Sequence, residues 1–163
     1  MLEKATDSIG CCDGAGPRHL RPIKPAAAPA LPPLEALDRT HHQMMGVLAD
    51  LQQLVDLLEA DGPEPPARKS AKAICQFFDT HARQHHADEE HLIFPALVRK
   101  GDKALIQHVL RLQQDHGWLE EDWIEISPSL SAAADGYQWF DLDELRHAVD
   151  VFDKLYLDHI VLE

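Results

Sequence analysis

The stretch His81-Ala-Arg-Gln-His85-His86-Ala-Asp-Glu89-Glu90-His91-Leu-Ile-Phe-Pro95 contains four histidines and three carboxylates within eleven residues. On a helix, residues four apart share a face, so His85 pairs with Glu89 and His86 with Glu90. An imidazole and a carboxylate one turn apart suit iron, manganese or zinc. An isolated H-x-x-x-E pair usually lies on a solvated helix face. A metal site therefore requires further ligands from the rest of the chain.

The composition indicates one globular domain that carries an excess of negative charge. The chain has 163 residues, 45% of them hydrophobic, and a formal net charge of −13. Such a charge argues against nucleic acid and against an anionic membrane as partners, because both would be repelled. No apolar run is long enough to span a bilayer. Eleven histidines against three methionines direct attention to metal ligands.

The N-terminal residues 1–33 contain six prolines among alanines and glycines, which predicts a disordered tail before a domain at 34–163. Nothing there has the order of a signal peptide, so we expect a cytoplasmic protein. Three cysteines, Cys11, Cys12 and Cys75, are too few for a disulfide framework or a cysteine zinc site. Whether the tail recruits a partner stays open.

Hydrophobic residues at three- and four-residue spacing predict an all-α fold with four helices. We place these helices at Leu34 to Ala60, Ala67 to Lys100, Asp102 to Ile126, and Asp141 to the end. Ser127-Pro128 is expected to end the third helix, and Pro95 to bend the second. Short first and second connections favour an up-down-up-down four-helix bundle.

Histidines interrupt the apolar stripes of the helices. The first helix has the stripe Leu37, His41, Met44, Met45, Leu48, Leu51, Val55, Leu58, and His116 and His159 interrupt those of the third and fourth. The second helix leaves two inward lines open, one through His81, His85 and Glu89, the other through Ala82, His86 and Glu90.

Counting residues along antiparallel helices tests whether these histidines share one level. At a rise of about 1.5 Å per residue, one level along the bundle contains His41, the His85-His86 pair and His116. His159 falls about 8 residues, or roughly 12 Å, away from that level. A lower start of the fourth helix would supply this offset.

The inward candidates are then four imidazoles and two carboxylates, His41, His85, Glu89, His116, His159 and Glu163. Two metal ions would suit this set, since each glutamate can bridge both ions. These segments, with Leu92-Ile93-Phe94-Pro95 and Asp115-His116, resemble the hemerythrin-like HHE cation-binding domain family over about residues 34–163. The resemblance implies a non-haem di-iron centre in a four-helix bundle, and it favours His85 with Glu89 over His86 with Glu90. Zinc or manganese are alternative metals.

Two departures from the family bear on function. Oxygen-carrying hemerythrins have a second histidine one turn before the third-helix ligand, where this chain has Leu112. The chain therefore resembles the intracellular branch, and we do not expect oxygen transport. Relatives normally continue the fourth helix beyond the last ligand, so we expect a chain that stops at Glu163 to be truncated.

Six further residues lie beside the candidate ligands on their helices and could hydrogen-bond to them: His81, His86, Glu90, Asp115, Tyr156 and Asp158. Metal-bound imidazoles usually donate their other N–H to such a group. His81 and Tyr156 are equally acceptable as ordinary core residues. His42 and His91 are expected in solvent or beside the ligands, and His19, His108 and His147 are expected to be unrelated to the site.

The first functional hypothesis is a cytoplasmic di-iron protein that binds or senses O2, NO or peroxide. A second is a di-iron enzyme that turns over peroxide or NO, or supplies iron for repair. A third is a structural helical module without redox metal. Whether the protein is an enzyme stays open at the level of sequence.

Overall fold

The computed structural model describes residues 34–99 and 102–163, so the predicted tail at 1–33 lies outside the described residues. All regular structure in the described residues is helical, and it forms four helices. They are the first helix Leu34–Asp61, the second helix at 65–98, the third helix Lys103–Asp135 and the fourth helix Leu142–Leu162. The predicted all-α class is thereby confirmed, whereas the up-down-up-down alternation of direction remains a prediction.

The first and third helices each pack against both the second and the fourth, which encloses one hydrophobic core. Aromatic rings fill its middle. Phe78 lies 4.7 Å from Trp123 and 5.2 Å from Phe152, and Phe152 lies 5.3 Å from Tyr156, measured between ring centroids. The first helix differs from its predicted stripe at Met45 and at Leu54. Met45 is 39% exposed, and Leu54 is fully buried.

Polar caps and glycines fix the helix ends. The Asp141 carboxylate accepts hydrogen bonds from the backbone N–H groups of Asp143 and Glu144 at 2.8 and 3.0 Å. Asp141 is therefore the N-cap of the fourth helix. Asp102 caps the third helix in the same way. Gly136, with φ of +87°, follows that helix in a left-handed conformation that glycine adopts without a steric cost.

The third helix does not end at Ser127-Pro128 as predicted, because it continues through Pro128 to Asp135. Proline removes one backbone donor, and its side chain here is exposed to solvent. The turn beyond it buries Leu130 and Ala133 completely. This burial offsets the missing hydrogen bond, and the helix stops only where Gly136 permits a Schellman motif.

This longer third helix accounts for the apparent misplacement of His159. His116 lies 19 positions before Asp135, and His159 lies 17 positions after Leu142. The two counts differ by two residues, which is about 3 Å. The predicted third helix ended nine positions too early, and this error produced the expected offset of His159. A lower start of the fourth helix is not needed.

The second helix contains two π-helical turns, Phe78–Ala82 and Glu89–Ile93, on either side of the α-helical segment Arg83–Asp88. A π turn admits one residue more than an α turn, so each one rotates the side chains that follow. The buried line therefore runs through Phe78, Ala82, His85, Glu89 and Phe94. This buried line combines parts of both lines that the sequence pattern left open. After the second π turn the α-helix resumes at Phe94–Val98, with Pro95 in its first turn.

Candidate metal centre

Two carboxylates form the middle of the candidate centre, and each directs its two oxygens to different histidines. Glu89 Oε1 lies 3.3 Å from His85 Nε2, whereas Glu89 Oε2 lies 3.2 Å from His116 Nε2. Glu163 Oε1 lies 2.5 Å from His159 Nε2, whereas Glu163 Oε2 contacts His41 Nε2. Each glutamate thus connects the His41–His85 side of the cluster with the His116–His159 side.

These side chains form two overlapping groups whose potential ligand atoms all lie within 4.8 Å of one another. The first group is His41, His85, Glu89 and Glu163, and the second is Glu89, His116, His159 and Glu163. The two glutamates belong to both groups. This sharing is the arrangement that two adjacent cations with bridging carboxylates require.

Several of the atoms in the cluster lack a hydrogen bond although they are buried. Glu89 Oε2, His116 Nε2 and both ring nitrogens of His159 are in this state. His116 Nε2 and Glu89 Oε2 lie 3.2 Å apart without forming a hydrogen bond. A buried polar atom without a partner costs about 1–3 kcal/mol. A cation would bind these lone pairs, so the residues present fit a metal pair.

The cluster is shielded from solvent by its place between the helices. His85, Glu89, His116 and His159 are buried, and the Glu163 side chain is 8% exposed although its backbone ends the chain. Burial opposes ionisation of Glu163, but the imidazoles of His159, His41 and His85 around its carboxylate outweigh this and hold its pKa well below the usual range. The carboxylate is therefore available as an anion.

Burial and the carboxylates act in opposite directions on the histidines. Burial lowers the pKa of His41, but its hydrogen bond to Glu163 and the nearby negative charges outweigh this and raise it. Burial likewise lowers the pKa of His116, and Glu89 and Glu90 raise it above the ordinary value. Protons and metal cations therefore compete for the same two imidazoles.

Glu90 sets the orientation of the His116 ring. His116 Nδ1–H donates to Glu90 Oε1 at 2.9 Å, which leaves Nε2 directed into the cluster. The other Glu90 oxygen accepts a 2.7 Å hydrogen bond from Gln113 Nε2. Such an imidazole–carboxylate contact fixes the ligand's tautomer. Sequence reasoning overlooked Gln113, although its position three residues before His116 placed it near that helix face.

His86 and Tyr156 lie against the His116–His159 side. The His86 ring stacks on the His116 ring with centroids 4.2 Å apart, and its Nε2 is hydrogen-bonded to the Tyr156 hydroxyl at 3.1 Å. His86 also offers a ligand atom within 4.8 Å of those of His116 and His159. Burial, together with the neighbouring histidines, lowers the pKa of His86 to about 2, so its ring is neutral. Burial raises the pKa of Tyr156, which keeps the phenol protonated.

The structure does not bring three other candidates to the ligands. The exposed His81 stacks on Phe77 and is hydrogen-bonded to Thr80, because the first π turn rotates it away from the interior. Asp115 is buried, but its carboxylate pairs with Arg111 at 2.9 Å. Asp158 is exposed. In residues 37–99 and 102–163, none of the three forms a hydrogen bond or ion pair with a ligand histidine.

His108, which the sequence did not connect with the site, contacts the helix turn that precedes Glu163. His108 Nε2–H donates to the Leu162 carbonyl oxygen at 2.9 Å. The two residues are 54 positions apart, and His108 is exposed, so helical periodicity carries no signal for this contact.

An all-helical bundle with a buried cluster of four histidines and two glutamates defines a cation-binding helical domain. Residues 32–163 match the family model of the hemerythrin HHE cation binding domain, and the chain belongs to this family. A Haemophilus influenzae protein described only as uncharacterized is 30% identical over 131 residues, which cover 80% of this chain and 74% of that protein. No solved structure matches the chain significantly. Among the described helices, none combines the length and the apolar character needed to cross a membrane.

Proposed function

We propose that this chain is a non-haem di-iron protein that binds or senses a small redox ligand. The observation that carries the proposal is the sharing of Glu89 and Glu163 between two histidine pairs. Mixed imidazole and carboxylate ligation suits iron, with manganese and zinc as the competing ions. In four-helix bundles, such carboxylate and histidine side chains on facing helices hold paired metals.

Each residue of the cluster has a separate role in this proposal. His41 and His85 would hold one iron, His116 and His159 would hold the other, and the two glutamates would bridge them. The irons would supply redox-active positions at which a diatomic or peroxide binds. The chain contributes imidazoles, a buried environment, and groups such as Glu90 that fix ring orientation.

An apolar cluster in the interior bears on which ligand is proposed. Leu112 is buried with Val109 and Phe94, so this part of the wall is apolar where oxygen carriers have another histidine. The proposed ligand is O2, NO or peroxide, and reversible oxygen transport is not part of the proposal. The net charge of −13 opposes nucleic acid as a partner. The cytoplasmic location belongs to the proposal and rests on the sequence expectation.

The test is to express the chain in iron-replete cells and to record metal content and optical spectra before and after exposure to O2 and NO. We expect about two irons per chain and a spectrum that changes with the ligand. His41→Ala should lose iron. The matched control is His42→Ala, because His42 is exposed and is hydrogen-bonded to the Asp38 carbonyl of its own helix. Two zinc ions without iron in the wild-type protein would contradict the redox proposal.

A second candidate function is turnover of peroxide or NO, or release of iron for repair. The observation that favours it is the hydrogen bond between Tyr156 and His86, which places a protonated phenol beside the second proposed iron position. Steady-state consumption of peroxide or NO by the iron-loaded protein, abolished in Tyr156→Phe, would favour an enzyme. Stoichiometric binding without turnover would favour a sensor. A metal-free helical protein would favour the structural module.

A further inference from the structure

A small pocket lies beside the candidate centre, between the second, third and fourth helices, and we call it the side pocket. The space open to the centre of a water-sized molecule is about 20 Å³. A space of about 10–15 Å³ in this measure holds one water molecule. Its lining residues are Phe78, Ala82, Arg83, His86, Leu119, Glu120, Trp123, Phe152 and Tyr156.

The inner wall of the side pocket is in contact with the candidate centre. His86 and Tyr156 supply the polar atoms of this wall, and a 3.1 Å hydrogen bond joins them. The His86 ring also lies against the His116 ring, at 4.2 Å between centroids, and its centroid is 5.6 Å from that of His159. His86 is therefore in contact both with the side pocket and with the two histidines that would hold the second iron.

The outer side of the pocket is covered by an ion pair between two helices. Arg83 Nε donates to Glu120 Oε2 at 3.2 Å, and Arg83 Nη2 contacts Glu120 Oε1. The two side chains are about half exposed, at 48% and 44%. Exposed ion pairs contribute about 0–1 kcal/mol to stability, so this one opens at little cost.

We propose that the side pocket is the docking site through which an uncharged ligand of one or two heavy atoms approaches the His116–His159 side of the centre. The proposal rests on the proposed function, since it requires a metal there. The space of about 20 Å³ fits a ligand of this size. Apart from His86, Tyr156 and the Arg83–Glu120 ion pair, the lining is apolar, which favours a neutral ligand. Arg83 has its charge paired with Glu120, so the mouth offers no unpaired cation to an anion.

The first test narrows the pocket. Ala82→Val places two additional methyl groups at a buried position of its lining. With iron-loaded protein, we expect the NO association rate in stopped-flow mixing to fall about tenfold, with iron content unchanged. The control is Ala71→Val, which adds the same atoms at a buried position of the same helix outside the pocket. It should leave the rate within about twofold of wild type.

The second test opens the mouth with a surface variant that leaves the core packing intact. Glu120→Ala removes the cover, and we expect the NO association rate to rise several-fold. Glu59→Ala, which removes an exposed contact to Arg146 on a different face, should not change it. If both Ala82→Val and Glu120→Ala bind NO at the wild-type rate while holding two irons, the side pocket is not the route and the di-iron proposal stands. If the wild-type protein holds no iron, both proposals are overturned.

Discussion

Glu90 lies outside the proposed ligand set, but it fixes the ring orientation of the proposed ligand His116. Its carboxylate accepts one hydrogen bond from His116 Nδ1–H and another from Gln113 Nε2. We predict that Glu90→Ala weakens metal binding about 10–100-fold, as loss of such partners typically does. Competition with a chelator of known affinity measures it. His91→Ala is the control, since His91 is exposed and is hydrogen-bonded to Ala87 of its own helix; an equal loss there would remove the assigned role of Glu90.

His85 and His86 differ in the part they take, although they are adjacent. His85 Nε2 lies near His41, Glu89 and Glu163, whereas His86 Nε2 is hydrogen-bonded to Tyr156. We predict that His85→Ala abolishes metal binding and that His86→Ala reduces it less. Metal content after dialysis measures both. The reverse order would mean that His86 with Glu90 supplies the ligands.

Metal affinity should fall as pH decreases from neutral. The carboxylates raise the pKa of His41 and His116 above 6.5, against the effect of burial. In the metal-free protein, this proton binding stabilises the fold below pH 6.5 and the contribution is lost as pH rises through the raised pKa. Metal requires neutral imidazoles, so its affinity changes in the opposite sense, by up to about tenfold per pH unit for each displaced proton. Full retention of metal at pH 4 would contradict histidine ligation.

At the scale of elements, the last turn of the fourth helix is fixed from the third helix. His108 donates to the Leu162 carbonyl oxygen, one residue before Glu163. We predict that His108→Ala weakens metal binding several-fold, because the turn that carries Glu163 frays. Hydrogen exchange of this turn should rise in parallel. His147→Ala, at an exposed position of the fourth helix, serves as the control, and an equal effect there would contradict the anchoring role.

Helix periodicity predicted the existence of all four helices, and it failed where the backbone departs from the α-helical repeat. The π turns that flank His85 rotate the second helix by one residue each, so neither predicted line through Phe78 was entirely right. Proline suggested an end for the third helix at Pro128, but burial of Leu130 and Ala133 continued it. In both places tertiary packing outweighs the local rule, and packing is not visible in the sequence of one helix.

At the scale of the whole molecule, histidines that interrupt apolar stripes indicated the proposed ligands, but this pattern left His85 with Glu89 and His86 with Glu90 both open, and the family resemblance favoured the first pair. The structure brings all six together from four helices. Contacts between distant residues could not be read in this way. The bond from His108 to Leu162 and the bond from Gln113 to Glu90 depend on which faces of neighbouring helices meet. The side pocket likewise exists only through the packing of three helices.

The fold and the site depend on each other in this bundle. Buried imidazoles and carboxylates without hydrogen-bond partners destabilise the metal-free protein, and cations that bind only the folded state stabilise it. Two bound ions, bridged by Glu89 and Glu163, would join all four helices. The number of ions is therefore the central quantity of the account.

The most direct measurement is an anaerobic titration of the metal-free protein with ferrous iron, followed by calorimetry and by iron analysis of the separated protein. The account predicts about two irons per wild-type chain. It predicts a clear loss of the second iron in Glu89→Ala, since this carboxylate belongs to both ligand groups. A single iron per wild-type chain, or two irons that Glu89→Ala binds equally well, would contradict a bridged metal pair.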